Sequence, residues 1–371
     1  MKPKMAIIST DVRRDVVEPA KYFKKVEVIH FYHRAPYRDF KPEEFKGLIR
    51  YSSFFDLCKK LKECSPNIIQ GSEPYGFPLT FPACAASFLM SKILDVPMFF
   101  PMLEQRPPEI KFGVFAPFLK IYLKFYASHA RAVIYLNSRA KRNLLEVGIN
   151  EEKLKRLMWG TWGVDINKFT PTKTGEEPDF GRAIFFAGLL EEHKGIRYLL
   201  PAFKEVKRAV KDVKLVIAGD GSLRPLIVDY AKAHRLEKDV ILLGVVKNED
   251  MPKYFRAARL TVTPSITTRK FEEQVGMVNI QSMACGTPVV STFCGGIPEY
   301  VLNGKTGILV QEKNSNALAE AIIRILKDES LRRRLGRNAR KHAIENFDAR
   351  KNIQRCEELV LEILSGAGAG I

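Results

Sequence analysis

Short apolar runs alternate with segments of helical period along nearly the whole chain, and this alternation comes in two series. Runs of strand length fall at 5–9, 26–30, 67–70, 97–101 and 132–136, and again at 183–187, 214–218, 240–243, 260–263, 288–291 and 307–310. Strands separated by helices rather than by tight turns build parallel sheets with helices on both faces. The expected fold is therefore α/β, with two Rossmann-like, doubly wound domains facing each other across a cleft. Between the two series lies the polar stretch 170–179, with two prolines and no hydrophobic period, which reads as a linker. The chain closes with helical segments at 317–328 and 331–346, an amphipathic one at 349–364, and a Gly/Ala-rich tail, 365–371, expected to fray. At 371 residues there is material for two domains of ordinary size.

No run approaches the ~20 apolar residues of a membrane-spanning helix, and Met1-Lys2-Pro3-Lys4 leads straight into a strand without a signal-peptide core. The six cysteines are scattered without a CxxC pair and read as reduced core residues. Both features fit a cytoplasmic protein. The unusual quantity is charge: 60 basic against 42 acidic residues give +18, which favours anionic partners.

The most informative segment is Phe271-Glu-Glu-Gln-Val-Gly-Met-Val-Asn-Ile-Gln-Ser-Met-Ala-Cys-Gly-Thr-Pro-Val-Val290. It follows a strand that ends in Thr263-Pro264-Ser265, and it predicts a helix that opens at Gly276 and stops before Gly286 and Pro288. A strand, a glycine loop and a helix N-terminus cradle anions, because free backbone amides and the helix dipole both favour phosphate. Glu273 stands beside that cradle, placed to accept hydrogen bonds from sugar hydroxyls. Gln281, two helical turns on, can face the same side. The plain alternative is a surface glutamate and an ordinary helical glutamine.

Glu273-x7-Gln281 followed by Met283-Ala-Cys-Gly-Thr-Pro288 resembles the Glu-x7-Glu region of the retaining nucleotide-sugar glycosyltransferases with the GT-B fold, the group 1 or family 4 enzymes. The resemblance runs in order from about 130 to 345, through Gly163-Val-Asp165, Phe186-Ala-Gly188 to Lys194-Gly195, Ala218-Gly-Asp-Gly221, Gly244, Pro264-Ser265 and Gly295-Gly-Ile-Pro-Glu299. It implies an acceptor domain over 1–168, a donor domain over 175–345, and a final stretch, 346–371, whose helix crosses back to the first domain.

Position by position, the resemblance implies that Glu273 contacts the donor sugar and that the backbone at Gly276, Met277 and Val278 receives the donor phosphates. Lys194 neutralises the diphosphate, and Gly188 and Gly244 line the donor site. Gln281 stands where the family's second glutamate holds the ribose, and an amide loses the charge-assisted bond. Leu189 replaces the arginine that usually follows the glycine of that motif, so one of two cations is missing. Arg269 or Lys270, just before Glu273, is the candidate replacement. In the first domain the glycine-rich loop after the first strand is absent. Where the family's acceptor-side histidine follows the fourth strand, Glu104 is the catalytic candidate, with Gln105 and Arg106 beside it, and Glu73 after the third strand is a second acceptor-side candidate.

From 111 to 142 there are seven basic residues and no acidic one, interleaved with Phe112, Phe115, Phe118, Tyr122, Phe125 and Tyr126. Such a segment suits an anionic membrane surface, with part of the aromatic stripe in the core. Nucleic acid is not expected, since no nucleic-acid motif accompanies the pattern. The function implied is transfer of a sugar from a nucleoside-diphosphate sugar to a glycan or lipid-linked acceptor hydroxyl, with retention. Neither a metal nor another cofactor is expected, and the protein is placed in the cytoplasm or peripherally on the inner membrane face. Two alternatives remain open: a non-catalytic relative acting as a scaffold or sugar-nucleotide binder, and a sugar-nucleotide epimerase.

Overall fold

The computed structural model describes residues 1–366 apart from 13, 36–42, 44 and 173, and the side chains of 14 and 15 are likewise not described. The frayed tail expected at the end of the chain therefore lies outside the described residues from 367 onward. Two compact units are present, one formed by Met1–Trp162 together with the chain from Ala349 onward, the other by Gly163–Asp348.

The first unit is built on strands β1 (Lys4–Asp11), β2 (Glu27–Arg34), β3 (Leu48–Arg50), β4 (Ile68–Gln70), β5 (Met98–Met102), β6 (Ala132–Tyr135) and β7 (Leu154–Arg156). They pair in the order β3-β2-β1-β4-β5-β6-β7, and every pairing is parallel. Every residue of β5 and β6 is buried, as a sheet covered on both faces requires. Alternate side chains go to opposite faces. Ala6, Ile8, Met98, Phe100 and Val133 pack against helices Phe54–Cys64, Phe81–Ile93 and Ala116–His129. Met5, Ile7, Phe99, Ala132 and Ile134 pack with Trp159 and Trp162 and with Ile353, Cys356 and Val360 of the last helix, Ala349–Ser365.

The second unit holds β8 (Arg182–Ala187), β9 (Val213–Ala218), β10 (Val240–Gly244), β11 (Leu260–Thr263), β12 (Val289–Thr292) and β13 (Gly307–Val310), again all parallel, in the order β10-β9-β8-β11-β12-β13. The chain reverses direction across the sheet between β8 and β11. At such a switch point the loops leaving neighbouring strands diverge and open a crevice at their carboxyl ends.

The polar stretch 170–179 is not a free linker. The Arg256 guanidinium pairs with Glu177 at 2.5 Å and also donates to the Thr170 carbonyl and the Thr174 hydroxyl. Arg340 donates to the carbonyls of Ile166, Phe169 and Ala284. These bonds tie the stretch to the second unit, so the seam falls at Trp162 and Gly163 rather than between 168 and 175. The final helix runs Ala349–Ser365, as its amphipathic pattern predicts, and Asn346 still belongs to the preceding helix, Glu329–Asn346.

The last helix is held by a buried carboxylate as well as by apolar contact. One oxygen of Glu357 accepts from the backbone amides of Lys25 (2.6 Å) and Val26 (2.9 Å). Removing it leaves two amides without an acceptor beside the core. Glu357→Ala should lower unfolding stability by about 3 kcal/mol, measured by urea denaturation, whereas Glu358→Ala on the exposed side should stay near wild type.

Candidate functional site

The loop leaving β8 runs through Gly188 to a short turn, Glu192–Lys194, and then Gly195, which begins helix Ile196–Ala209. Gly195 has φ of +72°, and a Cβ there would lie 1.8 Å from the carbonyl oxygen of Pro264, just past β11. The loops after the two switch-point strands are thus pressed together at a position only glycine can fill. Their contact sets Lys194 against Glu273: Lys194 Nζ lies 2.5 Å from Glu273 Oε1, which also accepts from Ser265 Oγ at 3.0 Å. The Glu273 carbonyl accepts from the Gly296 amide at 2.7 Å, which anchors its backbone.

Lys194 Nζ also stands 4.7 Å from the centroid of the Phe271 ring, and His193 packs on the same ring at 4.0 Å. Burial, and then the Lys194 charge, push the His193 imidazole below its ordinary value.

Beside this pair the helix Met277–Ala284 starts at Gly276 with φ of +74°. The amides of Asn279 and Ile280 bond the Gly276 carbonyl, which leaves those of Met277 and Val278 without an intrahelical acceptor. Asn279 is buried, and its Oδ1 accepts from Thr263 Oγ1, which holds the helix start on β11. Gln281 donates from Nε2 to Asn248 Oδ1 at 3.1 Å, toward the loop after β10. Gly244 ends β10 with φ of +71°, and its carbonyl accepts from the Gly219 amide. Leu189 is 60% exposed. Arg269 and Lys270 are exposed at the tip of a turn closed by Thr268 and Phe271.

The structure thus brings together Lys194, Glu273 and the Gly276–Val278 backbone. Sequence reasoning passed over Phe271, His193 and Asn248. Only the Pro264-Ser265 motif hinted at Ser265, and nothing in the spacing marks the aromatic support under Lys194.

In the first unit, Glu73 follows β4 and its Oε1 accepts from the amides of Leu103 (2.9 Å) and Glu104 (2.6 Å). Burial pushes its carboxyl up to about 7 despite these bonds. Glu104, the acceptor-side catalytic candidate, is largely buried and bonded within its own unit. It accepts from the Arg106 amide and guanidinium and from Lys111 Nζ at 2.9 Å. Burial alone would raise its carboxyl, but Arg106 and Lys111 hold it at about 2. Gln105 is buried, bonded to Asn137 through its side chain and to Asn143 through its carbonyl. These three residues shape the loop from within, because each charge or amide finds its partner in the same unit.

The segment 111–142 is likewise divided. Lys111, Lys120 and Lys141 are paired with Glu104, Glu109 and Glu151. Tyr126 is buried and Tyr122 packs against the core, whereas Val114, Phe115, Phe118, Ile121 and Phe125 are 50% to 90% exposed. Among the described residues no helix is long and apolar enough to cross a membrane, and no group of three or more His, Cys, Asp or Glu could hold a metal.

Two parallel-sheet α/β units of this kind make the GT-B fold, and solved structures share it along nearly the whole chain. The Anabaena protein HepE, in complex with UDP and glucose, superposes with a TM-score of 0.76 over 97% of this chain and 100% of its own, at 19% identity. A glycosyltransferase from Rickettsia africae gives 0.80 over 98% and 99%, also at 19%. Residues 172–342, a little under half of the chain, match the family model of glycosyl transferases group 1. An uncharacterised glycosyltransferase of Methanocaldococcus jannaschii is 31% identical over 234 residues, and the alpha-D-kanosaminyltransferase of Streptomyces kanamyceticus 28% over 263. These matches cover 61% and 68% of this chain, and 58% and 67% of the relatives' own lengths.

Glu73 makes stability depend on pH in a direction opposite to most carboxylates. Its pKa is raised on folding, so the folded state binds the extra proton and stability falls as pH rises from about 4.5 through about 7. Glu73→Gln keeps an acceptor oxygen and cannot ionise. Its unfolding free energy, measured by urea denaturation, should match wild type at acidic pH and exceed it above neutrality, by at most about 3 kcal/mol.

Proposed function

We propose that the chain transfers a glycosyl group from a nucleoside-diphosphate sugar to an acceptor hydroxyl, with retention at the anomeric carbon. The observation that carries the reading is the contact of Lys194 with Glu273 beside the open amides of Met277 and Val278, inside the segment that matches the group 1 glycosyltransferases. A diphosphate laid on those amides meets the positive end of the helix dipole and the Lys194 ammonium. Lys194 then exchanges its bond to Glu273 for a phosphate oxygen, and Glu273, still held by Ser265, is released to accept from sugar hydroxyls. The same groups stabilise charge on the leaving diphosphate, so the reading assigns this role to protein groups rather than to a metal.

That HepE, a protein of the same fold, is seen with UDP and glucose supports a nucleotide-sugar donor. Gln281, bonded to Asn248, would take the ribose with a neutral amide. Arg269 or Lys270 would supply the second cation missing at Leu189. The acceptor is read as a glycan or lipid-linked hydroxyl, with an anionic membrane met through the surface of 111–142.

A thermal-shift panel with UDP, GDP, ADP, CDP and dTDP tests the donor site. One diphosphate at ~100 times its dissociation constant should stabilise the protein by ~2.7 kcal/mol, and Lys194→Ala should abolish the shift. No shift with any of them would favour a non-catalytic scaffold, and sugar-nucleotide turnover without acceptor would favour an epimerase.

Transfer rates test the second cation separately. At least one of Arg269→Ala and Lys270→Ala should lower turnover by about tenfold or more, and equal rates for both variants and wild type would remove these residues from the mechanism.

A further inference from the structure

The exposed apolar surface of the first unit is wider than the basic segment that drew attention to it. Helices Phe81–Ile93 and Ala116–His129 lie side by side, joined by Phe88 on Phe125 (ring centroids 5.3 Å) and Phe81 on Tyr122 (5.7 Å). Their inner faces are spent on the core through Ala83, Cys84, Met90, Leu119, Leu123 and Tyr126. The outer face of the second helix still carries Phe118, Ile121 and Phe125, and the first carries Leu89 and Ile93, all substantially exposed. Residues four apart lie one turn along the same side of a helix, so each outer row is continuous.

Charge frames this face. Lys92 lies between Leu89 and Ile93, Lys124 between Ile121 and Phe125, and Arg131 just past the second helix. All three are exposed and without a carboxylate partner among the described residues. The one neighbouring acid on the approach to the second helix, Glu109, is taken by Lys120.

Resting on the reading of an anionic membrane as partner, we infer that the docking element is this two-helix face, with Phe81–Ile93 supplying half of it. A bilayer interface offers both chemistries the face presents: hydrocarbon for Leu89, Ile93, Phe118, Ile121 and Phe125, and anionic headgroups for the cations between them. A second copy of this chain would bring the same cations against each other on a protein of net charge +18. Single-stranded nucleic acid would use the rings for stacking but leave Leu89, Ile93 and Ile121 without a partner.

Flotation of the full chain with vesicles of equal parts phosphatidylcholine and phosphatidylglycerol, against phosphatidylcholine alone, tests the inference. Wild type should float with the anionic vesicles, lose most binding in high salt and barely float with the neutral ones. Phe118→Ser/Ile121→Ser and, independently, Leu89→Ser/Ile93→Ser should each reduce binding at low salt. Lys92→Gln and Lys124→Gln should each reduce it about fivefold.

If wild type and the Phe118/Ile121 variant behave as stated but Leu89→Ser/Ile93→Ser binds like wild type, the two-helix face is overturned and the membrane reading survives. If wild type does not float, both fail. A wild-type dimer on gel filtration that Phe118→Ser/Ile121→Ser converts to monomer would overturn the inference in favour of a second copy. The same variants should retain the thermal shift of wild type with the diphosphate that binds, so a general loss of folding is recognised.

Discussion

Parallel strand pairing is the constraint from which the rest of this structure follows. Each parallel pair needs a crossover, each crossover is mostly a helix, and helices on both faces demand strands that are apolar on both sides. That demand is visible in Met98–Met102 and Ala132–Tyr135, buried at every position. Parallel strands also bring all their carboxyl ends to one edge, and the chain reversal between β8 and β11 is where loops on that edge part. Lys194 and Glu273 stand on loops at that edge.

At that edge the chemistry depends on a pair of charges that satisfy each other. Lys194 and Glu273 are both largely sheltered, and an unpaired charge there would be costly. Their pairing satisfies both charges at once, so a group that separates them has to offer the lysine an anion and the glutamate hydrogen-bond donors. Phe271, under the lysine, and Ser265, on the glutamate, hold the two side chains at the meeting point of the loops.

The alternation of apolar runs made most of the strands legible, because a buried parallel strand has to be continuous in Val, Ile, Leu and Phe. It failed at Leu48–Arg50 and Leu154–Arg156, three-residue edge strands whose sequences, Leu-Ile-Arg and Leu-Lys-Arg, carry no such run. The polar stretch 170–179 misled for a related reason: its composition reads as solvated, and only the distant Arg256 reveals that it is anchored. In the second unit two positions named from the motifs, Lys194 and Glu273, meet, since they sit on loops after neighbouring strands. In the first unit Glu104 and Gln105 were named as acceptor-side candidates from their place after a strand, and that place does not reveal that Lys111 pairs with Glu104 or that Asn137 and Asn143, more than thirty residues on, bond Gln105. Local spacing carries no information about such pairing.

The placement of the last helix has a consequence for how the polypeptide is made. The first unit is interrupted after Trp162 and resumes only at Ala349, so one face of its sheet is closed by Ile353, Cys356 and Val360, which are synthesised after the whole of the second unit. While the second unit is being made, Met5, Ile7, Phe99 and Ile134 have no helix to cover them, and the second unit, uninterrupted from Gly163 to Asp348, can close first. The nascent first unit therefore waits with an apolar sheet face open, and the synthesis of Gly163–Asp348 is the interval in which chaperone protection of that face counts most.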